Sequence, residues 1–263
     1  MNTMKESVDG IILVLSCQKH RETRLRQFRL SRDWYGKWKV IYVIGDLFLD
    51  AEYKMEGNLM WLKCEDSYIH LLKKLVLALK YVYELHDIKE GVLRSGDDLV
   101  YNDTILTQFL EVKNKHDFIG RSPTMRSLPA SEINEVLLKS TRYDPFMVNY
   151  YLTHPEDFEN PQHNLKGVDI KKYMKRPLIA IGPAGILYYI SNRSCKILID
   201  LMESIGYDIF HFDEETQSYP YTIEDCAVSH IMYTNYIGFV HITHMFSEQP
   251  SNNAIGFHTN MYK

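Results

Sequence analysis

What the sequence lacks narrows its function first. It has no excess of positive charge: Lys and Arg number 30 against 34 Asp and Glu, a formal net charge of −4. It therefore carries no basic footprint for nucleic acid. The local basic clusters, Lys19 to Arg32 and Lys171 to Arg176, read as solvated faces. There is no CxxC pair. Cys17, Cys64, Cys195 and Cys226 are scattered, which argues against a zinc site and fits a reducing compartment. No apolar run reaches the roughly 18 to 20 residues of a membrane span. Met1 to Gly10 is polar and charged, unlike a signal peptide. A soluble, cytoplasmic chain with no integral membrane segment is expected. Ser16-Cys17-Gln18-Lys19-His20 follows the first apolar run and is neither GxGxxG nor a Walker sequence. Rossmann dehydrogenases and P-loop enzymes lose support accordingly. Internal repeats and low-complexity tracts are also missing.

What is present points to an α/β chain. Hydrophobic residues make up 45% of the 263, enough to core one substantial domain. Gly10 to Ser16 and Trp38 to Ile44 are continuous apolar runs of strand length, as in parallel strands covered on both faces. Asn58 to Lys63 reads as a shorter third strand, and the run at Val92 as a fourth. Between them Leu72, Leu75, Val76, Leu79 and Val82 fall at helical spacing, with Asp66 or Ser67 as N-cap. Cys17 to Arg32 reads as a basic helix, and Asp46 to Gly57 as a short helix and loop. Strand and helix thus alternate, which argues for right-handed βαβ units. Farther on, Asp117 to Gly120 and Met147 to Leu152 read as strands. His154 to Lys172 reads as a long loop of the kind that forms binding lids. Asn192 to Ser204 reads as a helix capped near Ser191 or Asn192, and Ile237 to Ile242 as a last strand. Arg121 to Tyr143 resists assignment.

Two stretches carry chemistry. In Leu93-Arg94-Ser95-Gly96-Asp97-Asp98-Leu99-Val100 an apolar run ends in two adjacent carboxylates, and Asn102 then opens a helical pattern from Thr104 to Glu111. Ligands of open α/β sheets bind beyond the carboxyl ends of the strands. Adjacent carboxylates repel unless a cation lies between them, and hard oxygen donors suit Mg²⁺ or Mn²⁺. The plainer alternative is an acidic turn with Asp98 capping the next helix. In the second stretch, Gly182-Pro183-Ala184-Gly185 separates two apolar runs. Residues this small let backbone approach a ligand, or simply make a tight turn. A second acidic pair, Glu224-Asp225, follows Thr222, and an N-cap at Thr222 with Asp225 three residues on is its plainer reading.

Taken in order, five blocks resemble the beta-1,3-galactosyltransferase and Fringe-like family of glycosyltransferases. They are Arg24-Leu25-Arg26 through Trp34; Asp66-Ser67-Tyr68 with the leucines and lysines at 71–74; Leu93 to Val100, like the family's three-acid metal motif; Ala180 to Ser191; and Ile223-Glu224-Asp225-Cys226-Ala227-Val228. Gly96 stands where the family has the first of its three acids, and Ser229 where it has a glycine after the second acidic block. The resemblance implies a GT-A type, Rossmann-like mixed sheet flanked by helices, with the metal motif at the end of a central strand. It implies one domain over residues 1–263, with a nucleotide-binding half at about 10–115 and an acceptor-binding half at about 116–263. The implied activity is inverting, metal-dependent transfer of a hexose from a UDP-sugar donor to a hydroxyl of a glycan or glycoprotein acceptor. Asp98, Asp97 and His258 would hold Mn²⁺ or Mg²⁺, with His241 and His244 open as alternatives to His258. Arg24, Arg26, Arg94 and Asp97 would meet the nucleotide. Asp225 would be the catalytic base, with Glu224 as the near alternative. The family's eukaryotic members carry a membrane anchor and lumenal cysteines, so a soluble bacterial or viral version is implied. An inactive nucleotide- or glycan-binding protein on the same fold is the second reading, and an unrelated α/β nucleotidyl- or phosphotransferase the third.

Overall fold

A computed structural model describes residues 5–259. The chain begins with β1 (Glu6–Leu15), a short helix α1 (Arg24–Gln27), β2 (Trp34–Tyr35), β3 (Trp38–Gly45), β4 (Tyr53–Glu56) and β5 (Leu59–Leu62). Helix α2 (Leu71–Leu85), β6 (His86–Ser95), β7 (Leu99–Tyr101), α3 (Asp103–Glu111) and β8 (Phe118–Gly120) follow. Next come α4 (Glu135–Lys139), β9 (Thr141–Tyr143), α5 (Phe146–Thr153), β10 (Lys175–Pro177), β11 (Leu187–Ser191) and α6 (Asn192–Ser204). The chain closes with α7 (Glu224–Thr234), β12 (Val240–His241) and β13 (Gly256–His258).

The main sheet runs β12-β8-β11-β6-β1-β3-β5-β4, with β2 added beside β3. Its centre is parallel: β6, β1, β3 and β5 all point the same way, and β11 then pairs antiparallel to β6. Alternation along the strands feeds two cores. Ile11, Leu13, Ile41, Val43 and Val92 face the helical layer of α2, α6 and α7. Ile12, Val14, Val40, Tyr42 and Leu93 face the layer holding α3 and the segment around Met245 to Ile255. The expected mixed sheet flanked by helices, with the acidic motif at the end of a central strand, is what forms. Among the described residues no helix is long and apolar enough to cross a membrane.

Helix α2 buries Leu72, Leu75, Val76, Leu79 and Val82, the positions its spacing marks. Neither expected cap serves it. The N-cap position is His70, with no side-chain cap bond. Five buried aliphatics contribute about 2 kcal/mol each, against about 1 kcal/mol for a cap, so packing starts this helix without one. Asp66 does other work. One oxygen accepts from the Gly45 amide at 2.9 Å and from the Lys74 ammonium; the other accepts from the Gln18 amide at 2.7 Å. Lys74 also donates to the Ser16 carbonyl at 2.9 Å.

Four local expectations fail for identifiable reasons. The basic helix over Cys17 to Arg32 shrinks to a 3-10 turn, Gln18–His20, and the four residues of α1. Its arginines are drawn onto aromatic faces instead: Arg21 lies over Trp61, Arg29 over Tyr42 and Arg32 over Tyr35. Asp46 to Gly57 yields strand β4, because the edge of β5 offers it a ladder. Met147 to Leu152 is helix, not strand: only Met147 and Tyr151, four apart, are buried. Thr222 does not cap α7, whose N-cap is Ile223 without a side-chain bond. Elsewhere the capping logic holds, with Asn102 accepting from the Thr104 and Ile105 amides and Ser191 from the Ser194 amide.

The buried Lys74–Asp66 pair generates a stability prediction. Lys74→Met leaves a carboxylate with 3% side-chain exposure without its counter-charge. Removing one partner of a buried pair costs about 3 to 5 kcal/mol, so urea unfolding should show a loss of that order. A loss below about 1 kcal/mol would show that the Gly45 and Gln18 amides alone hold Asp66.

Candidate active site

The site assembles where β1 and β6 end. After Ser95 the chain makes a short break at Gly96 and presents Asp97 and Asp98 before β7. Gly96 is held by its amide, which donates to the Ile186 carbonyl at 2.9 Å. A Cβ at position 96 would lie 2.9 Å from Asp98 Oδ1. The missing side chain is therefore the room into which Asp98 turns, which gives the departure at Gly96 a steric reason.

Asp97 is 8% exposed. Its Oδ2 accepts from Ser16 Oγ at 2.7 Å and lies 3.2 Å from His20 Nδ1. Its Oδ1 lies 3.6 Å from Arg24 Nη1. Burial pushes this carboxyl up, but hydrogen bonds from His20 and Ser16 and the nearby charges outweigh it and hold the group below its ordinary range. Asp98 Oδ2 lies 3.7 Å from the same Arg24 nitrogen and 3.1 Å from His258 Nε2. His258 Nδ1 in turn lies 3.3 Å from Glu248 Oε2. The bond to Asp98 outweighs burial and raises the His258 pKa.

Strand pairing explains why a histidine so far along the chain reaches Asp98. β13 lies antiparallel on β7 with His258 opposite Leu99, and the Thr259 amide donates to the Asp98 carbonyl at 2.9 Å. Of the three candidate C-terminal histidines, His258 meets the acids. His241 Nδ1 accepts instead from the Ser122 amide at 3.0 Å. His244 lies in a 3-10 turn, where its carbonyl accepts from the Ile255 amide at 2.9 Å.

The second acidic pair splits at the start of α7. Glu224 turns inward, where Arg94 Nη2 donates to its Oε2 at 3.0 Å and the Tyr188 hydroxyl donates to Oε1. Arg94 also donates to the Gly185 carbonyl and stacks on Tyr188. Burial pushes Glu224 up to about 7 against the pull of Arg94. Asp225 is half-buried, and its Oδ1 accepts from the Cys226 amide at 2.8 Å. A Cβ on Gly185 would lie 3.2 Å from Asp225 Oδ2, and one on Gly182 would lie 2.6 Å from Ser229 Oγ. The small residues of the Gly-Pro-Ala-Gly break thus receive α7 itself. Glycine at 182 makes room for serine at 229.

The arginines divide accordingly. Arg24 is 6% exposed and faces both acids. Arg26 is exposed, and among the described residues no ion pair links it to Asp97 or Asp98. Arg94 is 2% exposed and committed to Glu224. Ser16, His20, Glu248 and Tyr188 join the cluster without being picked out from sequence. Near it Tyr68 stacks on Tyr150 at 4.7 Å between ring centroids, and Tyr150 on His154 at 4.3 Å. Burial and the Asp225 and Glu224 carboxylates raise the Tyr68 pKa, which places its hydroxyl within electrostatic reach of both acids. Among the described residues no group of three or more His, Cys, Asp or Glu forms a ready metal cage.

Neither a protein-family model nor a curated protein matches the chain. The solved structures similar to it include two glycosyltransferases. The glycosyltransferase GlyE of Streptococcus pneumoniae TIGR4 aligns over 90% of this chain and 46% of its own, at 11% identity and a TM-score of 0.36. The chain thus spans less than half the length of GlyE. Mouse xyloside xylosyltransferase 1, in its apo form, aligns over 97% of this chain and 98% of its own, at 8% identity and a TM-score of 0.42. Both overlaps are loose, and function has to be argued from the site.

The His20–Asp97 pair gives a pH prediction. Burial pulls the His20 imidazolium down, but hydrogen bonds to Asp97 and Cys17 raise it from 6.5 to about 9. A raised folded-state pKa contributes stability that is full below 6.5 and lost as pH rises through about 9. Unfolding free energy should therefore fall across that window. Asp97→Asn should flatten the slope; an unchanged slope would assign it to another group.

Proposed function

We propose that this chain is a glycosyltransferase that moves a hexose from a nucleotide diphosphate, a UDP-sugar by the resemblance of its motifs, to a hydroxyl of a glycan with inversion. The observation that carries the proposal is the convergence of Asp97, Asp98, His258 and Arg24 at the carboxyl ends of β1 and β6, beside a half-buried Asp225. Both groups border one segment: Gly96 bonds to Ile186, and Asp225 lies against Gly185.

The residues fit a divalent cation of the Mg²⁺ or Mn²⁺ kind. Such ions take one or two carboxylates and fill their remaining positions with substrate phosphates and water, so a ready protein cage is not required. Asp98 and His258 supply an oxygen and a nitrogen side by side. Glu248 behind His258 Nδ1 is the carboxylate that orients a ligating imidazole. Asp97, whose Oδ2 already receives Ser16 and His20, supplies charge and its Oδ1. When bound, the cation neutralises the leaving diphosphate.

The protein's own groups do the rest. Arg24 presents a guanidinium to the diphosphate oxygens, a pairing its planar fork suits. Asp225 accepts the proton of the acceptor hydroxyl as that oxygen attacks the anomeric carbon. The carbon–oxygen bond to the diphosphate then breaks, and the diphosphate leaves with the electron pair. Attack from the face opposite the leaving group inverts the centre. Glu224, buried against Arg94 and Tyr188, anchors α7 and with it Asp225. The flank of Tyr68, 38% exposed, offers a flat surface to a sugar ring.

Calorimetric titration with UDP, GDP and other nucleoside diphosphates, with and without Mn²⁺, is the direct test. UDP should bind in a metal-dependent way, and Asp98→Ala should abolish that dependence. Asp225→Asn should keep UDP binding and lose transfer by about 10²- to 10⁴-fold, the range for removing a general base. Binding of GDP alone would change the donor and keep the class. No nucleotide binding under any metal, or transfer at the wild-type rate by Asp225→Asn, would overturn the corresponding assignment.

A further inference from the structure

We propose that Arg24 is an internal counter-cation that occupies the acid pair in the free protein and must be released for a metal ion to bind, so that metal and nucleoside diphosphate bind only weakly alone and strongly together. The inference rests on the sugar-transfer reading above and concerns the control of that same site.

The geometry is specific. One nitrogen, Arg24 Nη1, lies 3.6 Å from Asp97 Oδ1 and 3.7 Å from Asp98 Oδ2. It therefore faces one oxygen from each of the two acids that would hold the cation. Arg24 is 6% exposed, so little water screens it there. A dication placed at those oxygens would stand within a few ångströms of the guanidinium, and the two repel. The like-charge cost of the acid pair is already met in the free protein, which lowers what the metal gains on entering.

A diphosphate reverses the balance. Its negative oxygens accept a guanidinium and a metal ion together, and the guanidinium fork matches phosphate geometry. Arg24 can then turn from the acids to the phosphates. Only Arg24 and Leu25 of α1 are buried, while Arg26 and Gln27 are exposed, so turning the Arg24 side chain leaves the packing of Leu25 in place. Asp97 is not stripped when Arg24 leaves, since Ser16 and His20 stay on its Oδ2. The two ligands thus favour each other through one side chain, and by linkage the coupling is reciprocal.

The test is Mn²⁺ binding, read from the electron paramagnetic resonance signal of free Mn²⁺, to wild-type protein, Arg24→Gln and Arg24→Lys, each with and without UDP. UDP binding without metal is measured alongside by calorimetry. Wild-type protein should bind Mn²⁺ at least about 10-fold more tightly with UDP than without, within the usual span of coupling between sites. Arg24→Gln should bind Mn²⁺ alone about 10-fold more tightly than wild type and UDP more weakly, so that the coupling shrinks. Arg24→Lys keeps the charge and loses the fork; it should bind metal alone as weakly as wild type, and UDP more weakly. The inference is overturned if Arg24→Gln binds Mn²⁺ alone no more tightly than wild type, or if the Lys variant matches the Gln variant. If all three bind Mn²⁺ and UDP together without those differences, only the role of Arg24 falls. If none binds Mn²⁺ even with UDP, the metal assignment falls and this inference with it.

Discussion

The Lys74 ammonium, 2% exposed, is the group on which the rest of the site depends. It sits beneath the carboxyl ends of β1 and β3 and ties three elements at one point. It donates to the Ser16 carbonyl at the end of β1 and to Asp66 ahead of α2, and Asp66 receives the Gly45 and Gln18 amides. Parallel strands leave their last backbone groups without ladder partners, and burying those groups unpaired is costly. The Lys74–Asp66 pair satisfies them and sets the direction in which Ser16 leaves the sheet. Ser16 Oγ then points to Asp97 Oδ2. A structural ion pair in the helical layer thereby positions the first acid of the site.

The charge arrangement follows from that placement. Two neighbouring carboxylates, one of them buried, need cations nearby or one must hold a proton. Here each has two: His20 and Arg24 around Asp97, Arg24 and His258 around Asp98. The sharing of Arg24 matters more than the number of partners. It makes the acids one electrostatic unit, so whatever enters at Asp98 is felt at Asp97. Glu248 extends the unit to the surface through the His258 ring.

Much of this was legible in the sequence where local rules act. The continuous apolar runs at Gly10 and Trp38 became central parallel strands, and the α2 spacing named its buried face. The acidic turn at Asp97-Asp98 was legible too, because a break after an apolar run must lie at a strand end. What could not be read depended on partners distant in sequence. The five arginines after β1 have helical propensity, yet nearby aromatic faces and Asp97 took the residues a helix would have stacked together. Met147 to Leu152 looks like a strand because five of its six residues, all but Asn149, are apolar or aromatic, and such a run has no period until a surface chooses which two to bury. His20 and Ser16 gave no signal of their own. Their role comes from a turn whose geometry is set by Asp66, some 50 residues away.

The split fate of Glu224 and Asp225 shows how one helix makes two carboxylates different. Successive side chains on a helix point about 100° apart. Once Ala227, Val228 and Ile231 seat α7 against the core, Glu224 is turned to the sheet and Asp225 to the Gly182–Gly185 segment. Inside the sheet a lone carboxylate would be untenable, and Arg94 and Tyr188 supply what it needs. Those bonds cross from α7 to β6, which ends at Ser95 just before the acid pair, and to β11, which begins at Leu187 opposite Ser95. The start of α7 is thus fastened to the strand that carries Asp97 and Asp98, and Asp225 keeps its position relative to them. The buried acid, pushed up to about 7, is spent on that fastening. It is the half-buried neighbour, with one oxygen on the Cys226 amide and the other beside a glycine, that has room to meet a hydroxyl group.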